Sequence, residues 1–282
     1  MTSTEIARVR PARTLRRSGP RSTLTRSSGL GLGIAMIWFS ALVLIPLAAI
    51  VVTAIDGGWG IFWNTITNGQ TLSAIKLTVF TAAGVTLVNI IMGPLIAWVL
   101  VRDRFWGKSV LEVMIDIPFA LPTIVAGLVL LSLYGTDSPL GIDIANKRPA
   151  VFLAFLFVTL PFVVRMVQPV LEELDRDVEE AAASLGANRI TTFRRIILPS
   201  LTPAIAAGAA LSFARGVSEY GSLVLLSGNL PFKTEVTSVR ILSSIENDNV
   251  AGAAAVATVL LAISLTVIVV LDLIQRRVAA RG

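Results

Sequence analysis

Residues 180–199 read EAAASLGANRITTFRRIILP, and this polar stretch lies between two long apolar runs. The flanking runs, at about 149–170 and 200–226, are long enough to cross a bilayer, because about 20 apolar residues span its hydrocarbon core. The polar stretch therefore belongs to a loop, at 171–199, that joins two predicted membrane-spanning helices and lies at the membrane surface.

The loop carries the local signals of two short helices separated by a bend. Asp177 is a candidate N-cap, with Glu180 three residues later, and the alanines that follow favour helix. Gly186 predicts a helix stop, and Asn188 is suited to cap a second helix. Pro199 is expected to end that second helix before the next span. The loop is thus predicted to be a helix–bend–helix segment.

Composition supports a membrane location for the whole chain. Of the 282 residues, 54% are apolar and 15% are charged, whereas a soluble domain averages about 25% charged residues. The chain has no Cys and no His, which excludes disulfides, thiol nucleophiles, histidine acid–base chemistry and zinc sites with sulfur or nitrogen ligands. We therefore expect no catalytic site and no metal site.

Six apolar runs predict an all-α membrane protein with six transmembrane helices. The first run follows a basic tail but is too long for the apolar core of a signal peptide, so we expect it to be retained. The predicted spans are about 30–54, 73–101, 114–134, 149–170, 200–226 and 250–274.

The distribution of basic residues predicts the orientation. Residues 1–28 contain seven arginines, and we interpret them as a cytoplasmic tail, disordered or bound to anionic lipid, before a membrane domain at 29–282. Seventeen of the 24 Lys and Arg residues lie in this tail, in the loops at 102–108 and 171–199, and at the C-terminus. Because basic loops stay in the cytoplasm, both termini are predicted to be cytoplasmic. The tail accounts for the whole net charge of +6, so no nucleic-acid partner is expected.

The 180–199 stretch resembles the EAA signature, E-A-A-x3-G-x9-I-x-L-P, of permease subunits of bacterial ABC importers. The resemblance implies that the loop acts as a pair of cytoplasmic coupling helices and docks a separate ATPase, with Glu180 and Gly186 seated in its cleft. It also implies that ATP and Mg²⁺ are bound by that partner, and that this chain holds no cofactor. The matching positions are Glu180, Ala181, Ala182, Gly186, Ile196, Leu198 and Pro199.

A second short match, Gly107-Lys108-Ser109, looks like the end of a P-loop. A Walker A motif needs a glycine five positions before Gly107, where this chain has Arg102, and it needs a preceding strand. We interpret the match as chance and expect no ATP hydrolysis by this chain.

Two prolines in the third predicted span are candidates for the translocation path. Pro118 and Pro122 lie four residues apart, just before Thr123, and so share one helix face. Each lacks an N–H, which frees a carbonyl and bends the helix. The pair is explained equally well as a pore-facing hinge or as a packing kink.

Charged residues in the fourth and fifth predicted spans are further candidates. Arg215 and Glu219 are four residues apart and suited to pair, and Tyr220 follows them. Arg165 is a further candidate partner for Glu219. A charge near the middle of a membrane costs at least about 2.5–3.5 kcal/mol, so these groups should face protein or water. A packing role and a role in the path both remain open.

Outside the coupling loop, several stretches are similar to the T-type permease subunit of the bacterial sulfate/thiosulfate ABC importer. The permeases of molybdate/tungstate ABC importers share the architecture and the EAA loop, and remain the nearest alternative. Ser218 stands where the sulfate pattern usually has Gly. The stretches that carry the resemblance are 98–102, 105–108, 116–123 with Gly127, 213–215, 219–222, 231–235 and 251–253.

The resemblance to the sulfate family implies a set of partners and a location. This chain would form a heterodimer with a second, W-type permease in the bilayer of the bacterial plasma membrane. Two ABC ATPase subunits would bind on the cytoplasmic side. An extracytoplasmic sulfate-binding protein would dock over the loops at 135–148 and 229–249.

Two other classes of function fit the sequence less well than an importer permease does. A secondary transporter predicts inverted repeats and midplane ion ligands on broken helices, and the sequence has no clear repeat. A membrane-embedded enzyme predicts clustered acids or histidines, and His is absent. Both alternatives are disfavoured by the complete EAA pattern.

Overall fold

The computed structural model describes residues 26–279. The regular secondary structure in that range is helical, and no strand occurs within it. Most of the predicted tail at 1–28 lies outside the described residues, and residues 26–28 form the start of the first helix. The helices are α1 (Arg26–Phe39), α2 (Ile45–Asp56), α3 (Trp59–Thr67), α4 (Gly69–Arg102), α5 (Lys108–Ala120), α6 (Thr123–Tyr134), α7 (Arg148–Glu173), α8 (Arg176–Ser184), α9 (Arg189–Thr192), α10 (Leu198–Val217), α11 (Gly221–Leu226), α12 (Thr237–Glu246) and α13 (Val250–Ala279), with π-helical turns at Ser40–Leu44 and Phe193–Ile197.

Five helical segments among the described residues are long and apolar enough to cross a membrane. A sixth is added when the bent pair α5 and α6 counts as one span. The chain divides into two compact units, up to Ala48 and from Ala49 onward, and the site described below lies in the second unit. The five segments are Ser28–Asp56, Gly69–Arg102, Arg148–Glu173, Arg189–Val217 and Val250–Arg277.

The third predicted span is not one kinked helix but two helices whose axes differ by 119°. Leu121 is extended (φ −83°, ψ 135°), because a residue before proline is disfavoured in the helical region. Pro122 caps the start of α6 (φ −54°, ψ 134°), whereas Pro118 stays inside α5. The predicted bend is confirmed in position, but the helix axis turns much further there than at an ordinary proline kink.

The fifth predicted span also differs from expectation at both ends. Pro199 does not end the coupling helix, because α9, the π turn and α10 run on as one helical segment. Leu198 N–H bonds the carbonyl of Phe193, five residues back, so a π turn directly precedes Pro199 and the helix continues past it. At the other end α10 stops at Val217, and α11 is a separate short helix.

Small residues let α4, α7 and α10 pack closely around Val163 of α7. A Cβ added to Gly93 of α4 would lie 2.5 Å from Val163 Cγ1, and one added to Gly208 of α10 would lie 2.8 Å from Val163 Cα. Such close backbone approach is the usual role of small residues in membrane helices.

A buried polar contact joins the same three helices. Asn89 Nδ2 of α4 donates to Thr159 Oγ1 of α7 at 2.8 Å and to Ser212 Oγ of α10 at 3.0 Å. All three side chains are buried. Hydrogen bonds between helices are favoured where a polar group has no water to bind, so this contact fixes α10 against its neighbours.

Candidate functional site

The coupling segment, residues 171–199, starts at the end of α7, and its first own helix is α8. Its N-cap is Asp175, whose carboxylate accepts the Asp177 N–H at 3.0 Å, and not Asp177 as the sequence suggested. Asp175 has the non-helical backbone (φ −64°, ψ 129°) that an N-cap requires. Asp177 lies instead in the first turn, where a negative charge stabilises the helix dipole.

Gly186 ends α8 in the way that its position predicts. Its φ of +84° is in the left-handed region, which glycine adopts at little cost. Gly186 N–H donates to the Ala183 carbonyl at 2.9 Å, and Ala187 N–H donates to the Ala182 carbonyl at 3.0 Å. This pair of bonds is a Schellman motif. Asn188 then caps α9 by accepting the Thr191 N–H at 2.8 Å, so the predicted helix–bend–helix geometry is confirmed.

The coupling segment is held to the end of α4 by one partly buried ion pair. Arg102 Nη2 lies 2.6 Å from Glu179 Oε1 and donates to the Leu174 carbonyl at 3.3 Å. The Arg102 guanidinium also lies 5.7 Å from the centre of the Trp98 ring, within the range of a cation–π contact. Sequence reasoning missed this anchor because nothing local signals a pair separated by 77 positions.

The residues of the EAA pattern divide between those exposed to solvent and those that pack. Glu180, Ala181, Gly186, Leu198 and Pro199 are exposed, Ile196 is half-buried and Ala182 is buried.

Two large apolar side chains flank the bend and point to solvent. Leu185 is 89% exposed and Ile190 is 70% exposed. Sequence reasoning did not single them out, although apolar residues beside a helix-stop glycine in a polar loop are a usable signal. The carboxylate of Glu180 is exposed on the same segment.

A second notable region lies where α6 and α11 cross. We call residues 121–123 and 218–221, together with the adjoining ends of α5, α6, α10 and α11, the broken crossing. A Cβ on Gly221 would overlap Thr123 Oγ1 and lie 2.9 Å from Ile124 N, and one on Gly127 would lie 2.8 Å from Ser222 Cα. The two interrupted spans therefore meet backbone to backbone at glycines.

Glu219 is the buried polar centre of the broken crossing, with its side chain 1% exposed. Its Oε1 accepts from Ser222 N–H at 2.9 Å and from Ser222 Oγ at 2.8 Å, so it caps the free backbone of α11. Arg215 Nη2 lies 2.7 Å from Oε2, close enough for an ion pair but without hydrogen-bond alignment. The predicted pairing of Arg215 with Glu219 is confirmed.

Arg165 is not a partner of Glu219, contrary to the sequence-based suggestion. Gly208 packs at the level of Val163, and Gly216 packs at the level of Phe155. Glu219 follows Gly216, so it lies roughly 16 Å beyond the level of Gly208 along the helix axis, too far from Arg165.

Arg165 instead binds Asp116 of α5. Its Nε donates to Oδ1 at 2.8 Å, and its Nη2 donates to Oδ2 at 2.5 Å. Its Nη1 also donates to Gln168 Oε1 at 2.7 Å. The two-pronged geometry is the strong form of an arginine–carboxylate pair. The pair links α5 to α7 on the side of the molecule that carries the coupling segment.

The remaining candidates for the path lie around the broken crossing. Tyr220 is partly exposed and lines a groove of about 320 Å³ with residues of α12. Thr123 lies against Gly221. The structure therefore brings Pro122, Thr123, Glu219 and Tyr220 together. Arg165 lies elsewhere along the helix axis, nearer the coupling segment.

Comparison with known proteins agrees with this architecture. Residues 89–281 match the family model described as binding-protein-dependent transport system inner membrane component. The chain is 40% identical over 259 residues to the sulfate transport system permease protein CysT of Salmonella typhimurium, covering 89% of this chain and 94% of that protein. It is 43% identical over 250 residues to the protein of the same name from Synechocystis, covering 86% and 87%.

A solved structure shares the fold at low sequence identity. One chain of the crystal structure of a bacterial alginate ABC transporter, in complex with an alginate pentasaccharide-bound periplasmic protein, aligns with a TM-score of 0.73 at 17% identity. The alignment covers 89% of this chain and 94% of that chain.

Proposed function

The chain belongs to the family of binding-protein-dependent transport system inner membrane components, and from this membership we propose that it is the membrane permease of an ATP-driven sulfate importer. The observation that carries the substrate is 40–43% identity with sulfate permeases over at least 86% of the chain. Thiosulfate, a similar tetrahedral anion, is a second expected substrate.

The exposed face of the coupling segment supports docking of an ATPase. Large apolar side chains that are fully exposed next to a charge are typical of a contact surface. Leu185 and Ile190 would enter an apolar cleft of the ATPase, and Glu180 would meet a basic or polar group there. ATP and Mg²⁺ would be bound by two such ATPase subunits and not by this chain.

The helix that follows the coupling segment offers a route from the ATPase to the path. The segment Arg189–Val217 is one helix of 29 residues, or about 44 Å in length. Arg102 and Glu179 hold the segment to α4, so a pull on the bend moves α10 together with α4. At its far end α10 carries Arg215, and Glu219 lies two residues beyond the last residue of the helix, so the broken crossing would shift with it.

The broken crossing is the proposed gate of the path. The side chains of Thr123, Arg215, Glu219 and Tyr220, with the backbone carbonyls left free by Pro118 and Pro122, would offer an anion a passage once the partner permease closes the other side. Arg165 and Asp116 are only partly buried, and charges in a membrane helix should face protein or water. They would therefore line the same path nearer the coupling segment.

The loops at 135–148 and 229–249 are the proposed seat of the sulfate-binding protein. Asn146 N–H donates to the Leu226 carbonyl at 3.1 Å, and Arg148 Nε donates to the Lys233 carbonyl at 3.4 Å. The first bond ties the 135–148 loop to the end of α11, and the second ties it to the 229–249 loop. In this arrangement both termini face the cytoplasm of a bacterium, and a W-type permease completes the heterodimer.

Uptake of radiolabelled sulfate into proteoliposomes tests the proposal. The liposomes hold this chain, its partner permease and the ATPase, and the binding protein and ATP are added separately and together. Uptake that needs both additions, and that molybdate inhibits weakly, is the expected result. ATP-driven uptake of molybdate but not sulfate would overturn the substrate, and uptake without ATP dependence would overturn the mechanism.

A further inference from the structure

A groove of about 760 Å³ lies between α4 and the start of α7, away from the coupling segment and the broken crossing. Its polar lining comes from Ser73, Lys76, Thr81 and Arg148, and aromatic rings of Phe80 and Phe152 form its apolar side. No acidic side chain is among the described residues that line it. The groove is therefore cationic at one end and apolar at the other.

The lengths of the two helices place the cationic end at the depth of lipid headgroups. The helix α4 has 34 residues and α7 has 26, or about 51 Å and 39 Å, and both exceed the roughly 30 Å hydrocarbon core. Arg102, at the end of α4, lies beside the coupling segment. Lys76, in the second turn of α4, and Arg148, the first residue of α7, therefore lie at the interface of the opposite leaflet.

The two cations of the groove have their charge available for a ligand. Arg148 bonds only a neutral group, the Lys233 carbonyl, through Nε, and no carboxylate lies within ion-pair distance of Lys76 or Arg148 in the part of the chain that the structure describes. The neighbouring Lys147 differs, since its Nζ lies 3.6 Å from an oxygen of Asp143. The free N-terminal turn of α7 adds a partial positive charge on the same side.

An apolar stripe continues from the groove toward the middle of the membrane. Phe80 is 73% exposed, and Leu87 and Ile91 on the same face of α4 are also exposed. Gly84 lies between these residues beside the Phe152 ring, 3.6 Å from where a Cβ would stand. From Phe80 to Ile91 the stripe runs about 16 Å, the scale of an acyl chain.

We propose that this groove binds one anionic glycerophospholipid of the leaflet opposite the coupling segment. The phosphate is held by Lys76 and Arg148, with the hydroxyls of Ser73 and Thr81 within the same lining. One acyl chain lies over Phe80 and along the apolar stripe. A free oxyanion would contact only the two cations and would make no contact with the apolar stripe.

Titration of the delipidated transporter in neutral detergent tests this site. Dioleoylphosphatidylglycerol, dioleoylphosphatidylcholine and sodium sulfate are the three probes, and native mass spectrometry counts bound lipid on the intact complex. The double variant Lys76→Gln/Arg148→Gln should bind phosphatidylglycerol about thirtyfold more weakly at one site, since each basic residue near a surface contributes about 1 kcal/mol. Lys76→Gln alone should weaken it about fivefold.

Lys147→Gln is the matched control, because Lys147 is next to the groove and paired with Asp143; it should bind phosphatidylglycerol as the wild type does. Phosphatidylcholine should not distinguish the variants. Equal phosphatidylglycerol affinity in the wild type and the double variant would overturn the proposal. Displacement of the lipid by millimolar sulfate would assign the groove to a free oxyanion, and absence of any bound lipid in the wild-type complex would also overturn the proposal.

Discussion

The coupling segment and the broken crossing lie at opposite ends of α10 and are held together in opposite ways. In the coupling segment, caps and turns bond residues within five positions of each other, and Glu180, Leu185 and Ile190 remain in solvent. In the broken crossing, Glu219 is buried and glycines of α6 and α11 meet across the fold. A substitution on the exposed face should change what the protein binds, whereas one in the crossing should change whether it folds.

Removal of the buried carboxylate should have the largest effect on stability. Glu219→Leu leaves Arg215 without its anion and the Ser222 N–H without an acceptor, so it should lower the free energy of unfolding by about 3–5 kcal/mol. Glu219→Gln keeps the acceptor for Ser222 and should lose less. Denaturant unfolding in mixed micelles measures both. If both variants unfold like the wild type, the crossing does not depend on this residue.

Addition of a methyl group at the crossing should have the next largest effect. Gly221→Ala forces a Cβ into Thr123 and Ile124, and such overpacking costs about 1–3 kcal/mol. Gly84→Ala is the matched control, since its Cβ would make only an ordinary contact with Phe152. Apparent melting temperatures of the two purified variants should differ. Equal values would mean that α6 and α11 do not approach as closely as described.

A change at the bend of the coupling segment should be milder. Gly186→Ala places a side chain in the left-handed region at a cost of about 1–2 kcal/mol, with no clash because nothing lies within 4 Å of the added Cβ. Gly186→Asn should be tolerated better, because Asn adopts this conformation more readily. Limited proteolysis of the 171–199 loop detects the difference, and identical cleavage rates would argue against strain at this position.

Reversal of the exposed charge should leave stability nearly unchanged. Glu180→Lys alters a surface position, which usually shifts the free energy of unfolding by less than about 0.5 kcal/mol. ATP-driven sulfate uptake should nevertheless fall about tenfold, which corresponds to about 1.4 kcal/mol of lost contact energy. Glu173→Lys, an exposed acid outside the EAA pattern, serves as the control. Normal uptake by the Glu180 variant would contradict the docking role.

The same contrast explains which features the sequence predicted. The bend at Gly186 and the cap at Asn188 depend on local backbone chemistry, and both were predicted correctly. The ion pair between Arg102 and Glu179, the anchor of that segment, depends on tertiary contact and left no local signal.

The interruptions of the spans were underestimated for a related reason. An apolar run reports that a segment is long enough to cross a membrane, but it does not report that the segment turns inside it. Pro122 marked one break, and the extended conformation of Leu121 before it was predictable. The break after Val217 has no proline. Glu219 bonds Ser222 locally across it, but the close approach of Gly221 to Thr123 depends on the fold around it.

Cross-linking from the bend tests directly whether the coupling segment docks an ATPase. The chain has no native cysteine, so Leu185→Cys gives it a single thiol, which a benzophenone maleimide labels on the purified chain before the transporter is assembled. Leu140→Cys, exposed in the 135–148 loop, is the control. If the coupling segment docks an ATPase, position 185 gives a photo-cross-link to the ATPase and position 140 gives none. No cross-link from position 185, or equal cross-linking from both positions, would contradict it.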